Sequence, residues 1–521
     1  MNWESAQILS AMVLYIAVVI AIGLYYAKRA SESSDNFLIG GRSLGPWVVA
    51  MGAEASDMSG WLLMGLPGLA YFTGLADAGW TAIGLAIGTY LNWLLVAKRL
   101  RCYSHVAGDA ITIPDFFSNR FKEDKKIIMT IAALFIMIFF TVYAASCFVA
   151  VGKLFNSLFN IDYTYMMIAG ALFVLFYTFI GGFLAESASD FMQGCVMVVA
   201  LTVVLIVGIS TAGGISAVIE NVKAFPGFLE FFGIAQPVLV DGVQQVEAGA
   251  PLFGPAGPYG ILLIISMLSW GLGYFGMPQV LLKFMSIRKI DELTLSRRIA
   301  VIWVIISLTA AVAIGIIGRA LYPTEFLTHS SAESIFILMS RNFFLPFFAG
   351  IVMAGILAAT ISSSDSYLLI AASAFSKNLY QGIMKKDASD RAVLIASRVT
   401  LVIIAIIAMI IALDRNSVIF KVVAFAWAGF GATFGPLMLF SLFWKRVTRS
   451  GAIAGMLAGG SMVFIWKLLI SPLGGVFAIY ELLPAFVTSC LFIVVVSLLS
   501  KEPSQEIQDE FERVKAETAR M

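Results

Sequence analysis

The sequence predicts an all-α integral membrane protein with about thirteen transmembrane helices. Of its 521 residues, 60% are hydrophobic and only 13% are charged, and the mean hydropathy is +0.92. No soluble domain of this size has such a composition. The apolar residues also fall into runs that are each long enough to cross a bilayer as a helix. These predicted spans cover residues 6–26, 44–66, 75–97, 127–155, 163–183, 189–212, 259–285, 300–321, 343–375, 394–413, 419–444, 451–470 and 479–500.

Basic residues gather in every second loop between the predicted spans, which predicts the orientation of the chain. Examples are Lys98 and Arg101 in the third loop and Lys283 in the seventh, whereas the even-numbered loops hold little beyond residues such as Lys223. The positive-inside rule places the basic loops in the cytoplasm. We therefore expect a multi-pass protein of the plasma (cytoplasmic) membrane with its N-terminus outside. The charged tail, residues 501–521, is expected in the cytoplasm as a solvated amphipathic end.

The spacing of the spans indicates an internal repeat within a single transporter domain, residues 1–521. Spans two to six, about residues 44–212, and spans seven to eleven, about residues 259–444, each open with a glycine-interrupted helix. In both groups the longest helix is third. Because each group has an odd number of spans, the two repeats would be inverted relative to each other. Inverted repeats with interrupted first helices are typical of secondary transporters that bind substrate and ion at the bilayer midplane.

The first interruption is the stretch ASDMSGW, residues 55–61, which places Asp57 near the middle of a predicted span. A charge at that depth costs at least a few kcal/mol unless it is buried in a bundle or lines a wet cavity. Ser56 and Asp57 are also good helix N-caps. We therefore expect a helix break here, with Asp57 capping the following half-helix and with freed backbone groups facing a cavity.

The second interruption is SWGLGYFGMPQV, residues 269–280, which contains three glycines and Pro278 within about two turns. This composition is enough to break regular helix hydrogen bonding. Trp270 and Tyr274 are four residues apart and share a face. An alternative is that the glycines permit close helix packing and the aromatic rings fill space. Two breaks at matching repeat positions favour a binding site.

A third signal is the stretch LAATISSSDSYLL in the ninth predicted span. Ala359, Ser362 and Ser363 lie at i, i+3 and i+4, so two hydroxyls and one carbonyl face the same way. Together with carbonyls released at the first break, near Ala55 and Met58, they could form an oxygen shell for sodium. The alternative is that such hydroxyls bond back to the carbonyl four residues earlier.

Five stretches of the chain resemble the sodium/solute symporter family: ASDMSGWLLMGLPG, FFTVYAAS, YTFIGGFLA, SWGLGYFG and AWAGFGATFGP. The likeness extends over nearly the whole chain, to about Leu499. It implies thirteen helices in the amino-acid transporter fold with peripheral helices. It also implies alternating access and uptake of L-proline coupled to inward flow of a sodium ion, without enzymatic activity and without another cofactor.

The resemblance also implies roles for particular residues. It makes Asp57 essential and puts Asp190 on the inner exit path of sodium, although Asp190 could equally be a solvated acid or an N-cap. The implied sodium ligands are the carbonyls of Ala55 and Met58 with Ala359, Ser362 and Ser363. The implied proline site consists of Ser59, Gly60, Trp61, Tyr143, Trp270, Tyr274 and Pro278.

Two positions depart from the family pattern. Met277 stands where the family often has glutamine, which removes a hydrogen-bonding amide and bears on substrate affinity. Ser363 stands where the family often has threonine, and serine keeps the hydroxyl.

Several alternatives and expected partners complete these predictions. A sodium symporter for another small solute or a sensor built on the same fold remains an alternative function, and an ion channel is less favoured. The net charge of +2 with no basic face indicates no nucleic-acid partner, so the partners expected are proline, sodium and membrane lipid. Neither His105 nor His329 is expected to couple protons, and Arg319 is expected to snorkel to the bilayer surface.

Overall fold

The computed structural model describes residues 3–30 and 42–520, and nearly all of its regular structure is helical. The loop segment 31–41 lies outside the described residues. The helices are α1 (Trp3–Ala30), α2 (Pro46–Asp57), α3 (Leu66–Thr73), α4 (Leu75–Leu91), α5 (Ala97–Val106), α6 (Ile113–Arg120), α7 (Ile127–Phe159), α8 (Tyr163–Thr211), α9 (Ile215–Val222), α10 (Ile261–Leu268), α11 (Pro278–Ser286), α12 (Leu293–Leu321), α13 (His329–Ala332), α14 (Ile335–Phe343), α15 (Pro346–Ser373), α16 (Asp390–Ile411), α17 (Ile419–Phe443), α18 (Arg449–Ile465), α19 (Leu482–Leu499) and α20 (Gln505–Arg520).

The described helices confirm an all-α membrane architecture. Ten continuous helical segments, one of which joins α4 and α5, are long and apolar enough to cross a bilayer, or eleven if the bent pair Ile261–Gly276 and Pro278–Ser286, which meet at 44°, counts as one span. Of two shorter apolar helices, Tyr163–Phe179 lies within the fifth predicted span, whereas Trp61–Thr73 overlaps only the end of the second. The count of thirteen remains a prediction. Within α8 the chain bends at Gly182, whose φ of 57° is a conformation that glycine adopts without steric cost.

Helix α15 forms the centre of the bundle. It packs against α1, α7 and α8, and from Met353 to Ser373 every residue is buried. A helix that is buried all round has no lipid-facing stripe, so its polar residues face protein rather than membrane. The serine run of α15 is therefore placed where it meets the other helices.

The second broken helix packs very closely against its neighbours. A Cβ at Gly88 of α4 would overlap the backbone of Gly271, and a Cβ at Gly273 would overlap the indole of Trp427 on α17. The segment Ser269–Gly276 between α10 and α11 is a 3₁₀ helix. The glycines therefore allow close packing, as the alternative interpretation holds, and the helix is also broken at this point.

The connection between α9 and α10 carries three short antiparallel strand pairs. A pair of residues with positive φ, Asp241 and Gly242, forms the tight turn between β2 and β3, as the Asp-Gly sequence favours. The pairs are β1 (Gly233–Ile234) with β6 (Gly257–Pro258), β2 (Leu239–Val240) with β3 (Val243–Gln244), and β4 (Val246–Glu247) with β5 (Ala250–Pro251). We call the end of the bundle that these strands cover the hairpin side.

Arg319, near the end of α12, is fully buried beneath this connection, so the prediction that it snorkels is wrong. Its guanidinium donates to Gln244 Oε1 at 2.5 Å and lies 4.8 Å from the ring centroid of Tyr71 and 5.1 Å from that of Phe253. Aromatic faces stabilise a desolvated cation. The guanidinium thus joins α12 and α3 to the hairpins.

The tail helix α20 packs on the opposite end of the bundle, which we call the tail side. Its residues Phe511 and Val514 are buried, Lys122 Nζ lies 2.5 Å from Glu510, and the Arg99 guanidinium lies 5.0 Å from the Phe511 ring centroid. The prediction of a solvated tail is therefore wrong for one face of the helix. Periodic apolar residues among the charges supply that face.

Candidate functional site

The first helix break lies at Met58, and it releases the carbonyl of Ala55. Met58 N–H still donates to Glu54 O at 2.8 Å, but Ser59 N–H donates to Asp57 O at 3.0 Å. In a continuous helix that N–H would reach the carbonyl four residues earlier, which is Ala55 O. Helical hydrogen bonding resumes in the π-helical segment Trp61–Gly65, which leads into α3.

The released carbonyl of Ala55 faces the serine run of α15. Ser362 Oγ donates to Ala55 O at 2.7 Å, and Ser363 Oγ donates to the same atom at 3.3 Å. Ser362 Oγ also lies 3.2 Å from Ala359 O. Four of the five predicted sodium ligands, Ala55, Ala359, Ser362 and Ser363, are thus brought together in a fully buried position. Met58 is buried at the break, but the hydrogen bonds of the described residues do not join its carbonyl to this group.

The other hydroxyls of the run have a different role. Ser364 Oγ donates to Thr360 O, Ser366 Oγ donates to Ser362 O at 2.9 Å, and Thr360 Oγ1 donates to Ile356 O at 2.7 Å. These are bonds to the carbonyl four residues earlier, as the alternative interpretation predicts. Ser362 and Ser363 differ because both reach across to α2.

This group of oxygens fits the chemistry of a sodium site. Two hydroxyls and two carbonyl oxygens converge where backbone is unwound, and unwound carbonyls at membrane depth are the ligands that transporters use for sodium. The oxygen atoms that would bind the ion are neutral and carry no proton that titrates near pH 7. The arrangement therefore suits a monovalent cation better than a divalent metal, for which proteins supply carboxylates.

Asp57 connects the two helix breaks. Its Oδ1 accepts a hydrogen bond at 3.1 Å from Nε2 of Gln279, in the first turn of α11, while Oδ2 has no partner among the described residues. Its backbone carbonyl accepts from Tyr143 Oη at 3.2 Å and from Trp61 Nε1 at 3.4 Å. Asp57 does not cap the next half-helix, contrary to the expectation, because its side chain turns to α11.

An aromatic group lies beside these breaks. We define it as Trp61, Trp270, Tyr274, Trp427 and Tyr480, all of them buried. Trp270 is central to the group, since its ring lies 6.2 Å from Trp61 and 4.9 Å from Tyr480, centroid to centroid. Trp427 fixes it by donating from Nε1 to Trp270 O at 2.8 Å.

The remaining predicted substrate residues are divided between two places. Ser59 and Gly60 are buried at the first break, and the ring of Tyr143 lies 4.2 Å from that of Tyr367. Pro278 lies further toward the tail side, in a narrow cavity that Ile136 and Ile370 also line. The structure therefore brings Trp61, Trp270 and Tyr274 together but places Pro278 apart from them.

Sequence reasoning missed Gln279, Trp427 and Tyr480. The first two carried a signal, because Gln279 follows the proline of the second break and Trp427 lies within the quoted stretch AWAGFGATFGP. Tyr480 lies in a loop before α19 and carried no such signal.

Asp190 is buried in an ion pair rather than solvated. Its Oδ2 lies 3.1 Å from Lys283 Nζ, and Lys283 also lies 3.0 Å from Glu186 Oε1. Lys283 was assigned to a basic loop by its position at the end of a predicted span, and that assignment is wrong. It belongs to α11 and is 1% exposed.

A cavity of about 230 Å³ lies on the hairpin side of the aromatic group. Phe420 lines it, and its ring lies 5.1 Å from that of Trp270. Glu333 also lines it and accepts the backbone N–H groups of Ile419 and Phe420, each at 3.0 Å. Phe420 thus separates the cavity from Trp270.

His329 also lines this cavity, and burial, with a smaller effect of Lys421, lowers its pKa to about 4. This shift favours the neutral imidazole at pH 7.

The chain is similar over nearly its whole length to known transporters. The profile of the Sodium:solute symporter family matches residues 37–459. Sodium/proline symporters of Staphylococcus aureus, for example those of strains USA300 and COL, are 39% identical over 520 residues, covering 99% of this chain and 96% of theirs.

Two solved structures share the fold. A substrate-bound, outward-open Na⁺-coupled sialic acid symporter has a TM-score of 0.74 at 17% identity and covers 96% of this chain and 99% of its own. The nucleobase-cation-symport-1 family transporter Mhp1, in a closed conformation with bromovinylhydantoin bound, has a TM-score of 0.51 at 11% identity. The match covers 92% of this chain and 98% of the Mhp1 chain.

Proposed function

Because this chain belongs to the sodium:solute symporter family, we propose that it couples inward sodium flow to the uptake of L-proline by alternating access. The observation that carries this proposal is the group of Ala55, Ser362 and Ser363 oxygens at a helix break, together with 39% identity to sodium/proline symporters. A transporter that binds both ligands near the midplane couples them through shared elements.

Sodium binds, in this proposal, to Ala55 O, Ala359 O, Ser362 Oγ and Ser363 Oγ, with the carbonyl of Met58 as the fifth ligand. When the ion binds, the two hydroxyls turn their lone pairs toward it and give up their bonds to Ala55 O. The charge of Asp57, which follows two residues after Ala55, lowers the cost of a cation at this depth.

Proline binds on the other face of the first break. Its carboxylate lies at the amides of Ser59 and Gly60, where the half-helix Trp61–Thr73 begins and favours an anion. Trp270, Tyr274 and Tyr143 enclose the ring and offer cation–π contact to the secondary ammonium. Pro278 lies apart from these rings but begins α11, which bounds the pocket toward the tail side.

The orientation follows from the positive-inside rule. The tail side, which carries basic residues such as Arg101 and Lys122, faces the cytoplasm, and the hairpin side faces outward. The repeats, residues 44–212 and 259–444, supply one broken helix each to the site. Apolar side chains exposed on the outer helices, such as Val399 and Ile403 of α16, face membrane lipid.

A symporter for a different small solute is the alternative that one observation favours. Met277 is fully buried at the start of α11, two residues before Gln279, and offers no hydrogen-bonding amide. Excess unlabelled L-proline tests this point, since failure to compete with sodium-driven uptake of the transported solute would exclude proline as the substrate.

We expect sodium, and not protons, to drive transport, because the candidate ion ligands are neutral oxygens. Purified protein in proteoliposomes should accumulate radiolabelled L-proline under an inward sodium gradient. Uptake should stop when that gradient is collapsed while an inward pH gradient is kept. Undiminished uptake under the second condition would contradict sodium coupling.

Loss of the central ring is expected to impair proline recognition more than sodium recognition. Trp270→Ala or Tyr274→Ala should raise the proline concentration for half-maximal uptake about tenfold or more, since an aromatic or cation–π contact in a dry site is worth about 2 kcal/mol. At saturating proline, the sodium dependence should stay near that of the parent protein.

Trp80→Ala is a matched control, because it makes the same chemical change at a tryptophan on the hairpin side, whose indole N–H donates to Phe231 O. Equal losses in Trp80→Ala and Trp270→Ala would argue for a general defect in folding.

Met277→Gln should strengthen proline binding if the missing amide limits affinity.

A further inference from the structure

One ammonium group is paired with a buried cluster of acids on the tail side of the candidate sodium site. Lys283 Nζ donates to Glu186 Oε1 at 3.0 Å, to Ser187 Oγ at 2.9 Å and to Asp190 Oδ2 at 3.1 Å. It also lies 4.6 Å from the ring centroid of Phe183. All of its acceptors lie in the part of α8 that follows the bend at Gly182.

A third carboxyl group completes the cluster. The ligand oxygens of Glu186, Asp190 and Asp365 all lie within 4.8 Å of one another, and each residue is at most 3% exposed. One oxygen of each has no hydrogen-bond partner among the described residues. A single ammonium thus faces three carboxyl groups, and a buried carboxylate without its partner is strongly unfavourable. Removal of the ammonium would make the cluster attract another cation.

This cluster is joined directly to the candidate sodium site. Ser366 Oγ lies within hydrogen-bond distance of two acceptors that share its one proton, Ser362 O at 2.9 Å and the carboxylate of Glu186. Asp365 and Ser366 lie on α15, three and four residues beyond Ser362, toward the tail side. A sodium ion that leaves Ser362 toward the tail side therefore meets these carboxylates next.

Lys283 belongs to the half-helix that would have to move for such release. Helix α11 carries Gln279, which binds Asp57. Its tail-side end is bonded to the segment before α2, through Leu44 N–H to Ser286 O at 3.3 Å and Arg288 N–H to Leu44 O at 3.0 Å. Withdrawal of the ammonium from the acids therefore requires displacement of α11, the element that also bounds the proposed substrate pocket.

Resting on the function proposed above, we propose that Lys283 is a tethered cation that gates sodium release. While α11 is in place, its ammonium is paired with Glu186 and Asp190 and closes the path toward the tail side. When α11 swings away, the freed carboxylates draw sodium from the Ser362 group toward water. The return of the ammonium then displaces the ion, which makes Lys283 a positioning residue for the ion step and couples that step to the substrate helix.

The test compares Lys283→Met with the parent protein in sodium binding and uptake. Without the ammonium, sodium should occupy the carboxylates, so its half-saturating concentration should fall about fivefold or more, the low end of coupling between sites. The maximal rate of proline uptake should fall about tenfold because release slows. Equilibrium binding of ²²Na⁺ should rise above the parental number of ions per protein.

Controls separate this role from a structural one. Lys223→Met removes an exposed lysine paired with Glu220 on the hairpin side and should behave as the parent. If Lys283→Met alone fails to fold, the double variant Lys283→Met with Glu186→Gln tests the same point, because it keeps the net charge of the cluster. This double variant should bind sodium at least as tightly as the parent.

A rise in the half-saturating sodium concentration of the folded lysine variants, or parental values throughout, would overturn the gating role. Absence of sodium binding in the parent protein would instead contradict the proposed function, so the two failures are distinguishable.

Discussion

Replacement of Asp57 by alanine is expected to reduce sodium-driven proline uptake at least 100-fold, which corresponds to about 2.8 kcal/mol. Asp57 is fully buried, and its carboxylate provides the acceptor for Gln279 across the two breaks. A hydrogen bond to a charged group contributes about 1.5–3 kcal/mol, and loss of the charge also raises the cost of a nearby cation. Both effects weaken sodium binding, and linkage then weakens proline binding.

Two further variants separate charge from geometry at this position. Asp57→Asn keeps an oxygen that can accept from Gln279 but removes the charge, so a loss close to that of alanine would assign the effect to charge. Gln279→Ala removes the partner and keeps the charge, and a smaller loss is expected.

Glu54→Gln is the matched control, because Glu54 lies one turn earlier, is equally buried, and accepts from Trp93 Nε1 at 3.2 Å instead of contacting the second break. Its sodium dependence should remain close to that of the parent. Near-parental uptake in Asp57→Ala would contradict the role assigned to this carboxylate.

The parts of the site that the sequence predicts are those with a local signal. A charge in the middle of an apolar span, glycines with a proline, and a run of serines each conflict with an ordinary membrane helix. Asp57, the break before Pro278, and Ser362 with Ser363 were found for that reason. The structure adds that the hydroxyls of both serines meet at Ala55 O. This contact between α2 and α15 cannot be predicted from sequence periodicity.

The parts that could not be predicted depend on contacts distant in sequence. Lys283 ends an apolar span, so by composition it belongs to a loop, and only its tertiary contact with Asp190 of α8 shows that it is buried and paired. Arg319 is enclosed because the hairpin connection folds back over α12. The many charges of the tail helix predict a solvated segment, although a narrow apolar face between them packs on α5. In each case the local sequence predicts a charged residue exposed to solvent, and the tertiary structure shows the group that it packs against.

The serines of α15 carry the second large prediction. Ser362→Ala and Ser363→Ala each remove one oxygen from the candidate ion site with little change in shape. We expect the half-saturating sodium concentration to rise about 10- to 100-fold for Ser362→Ala, since a buried ligand to a charged group contributes about 1.5–3 kcal/mol. A smaller rise is expected for Ser363→Ala, whose Oγ lies 3.3 Å from Ala55 O, compared with 2.7 Å for Ser362.

Ser364→Ala is the matched control for both variants, because it makes the same chemical change one position further along the same buried helix. Its hydroxyl donates back to Thr360 O and not to Ala55 O, so its sodium dependence should equal that of the parent. Uptake of labelled proline at graded sodium concentrations measures all three variants. Apparent proline affinity should weaken in Ser362→Ala and Ser363→Ala only, and it should recover at high sodium, because the proline residues themselves are intact. Parental sodium dependence in both, or an equal change in Ser364→Ala, would show that these oxygens do not hold the ion.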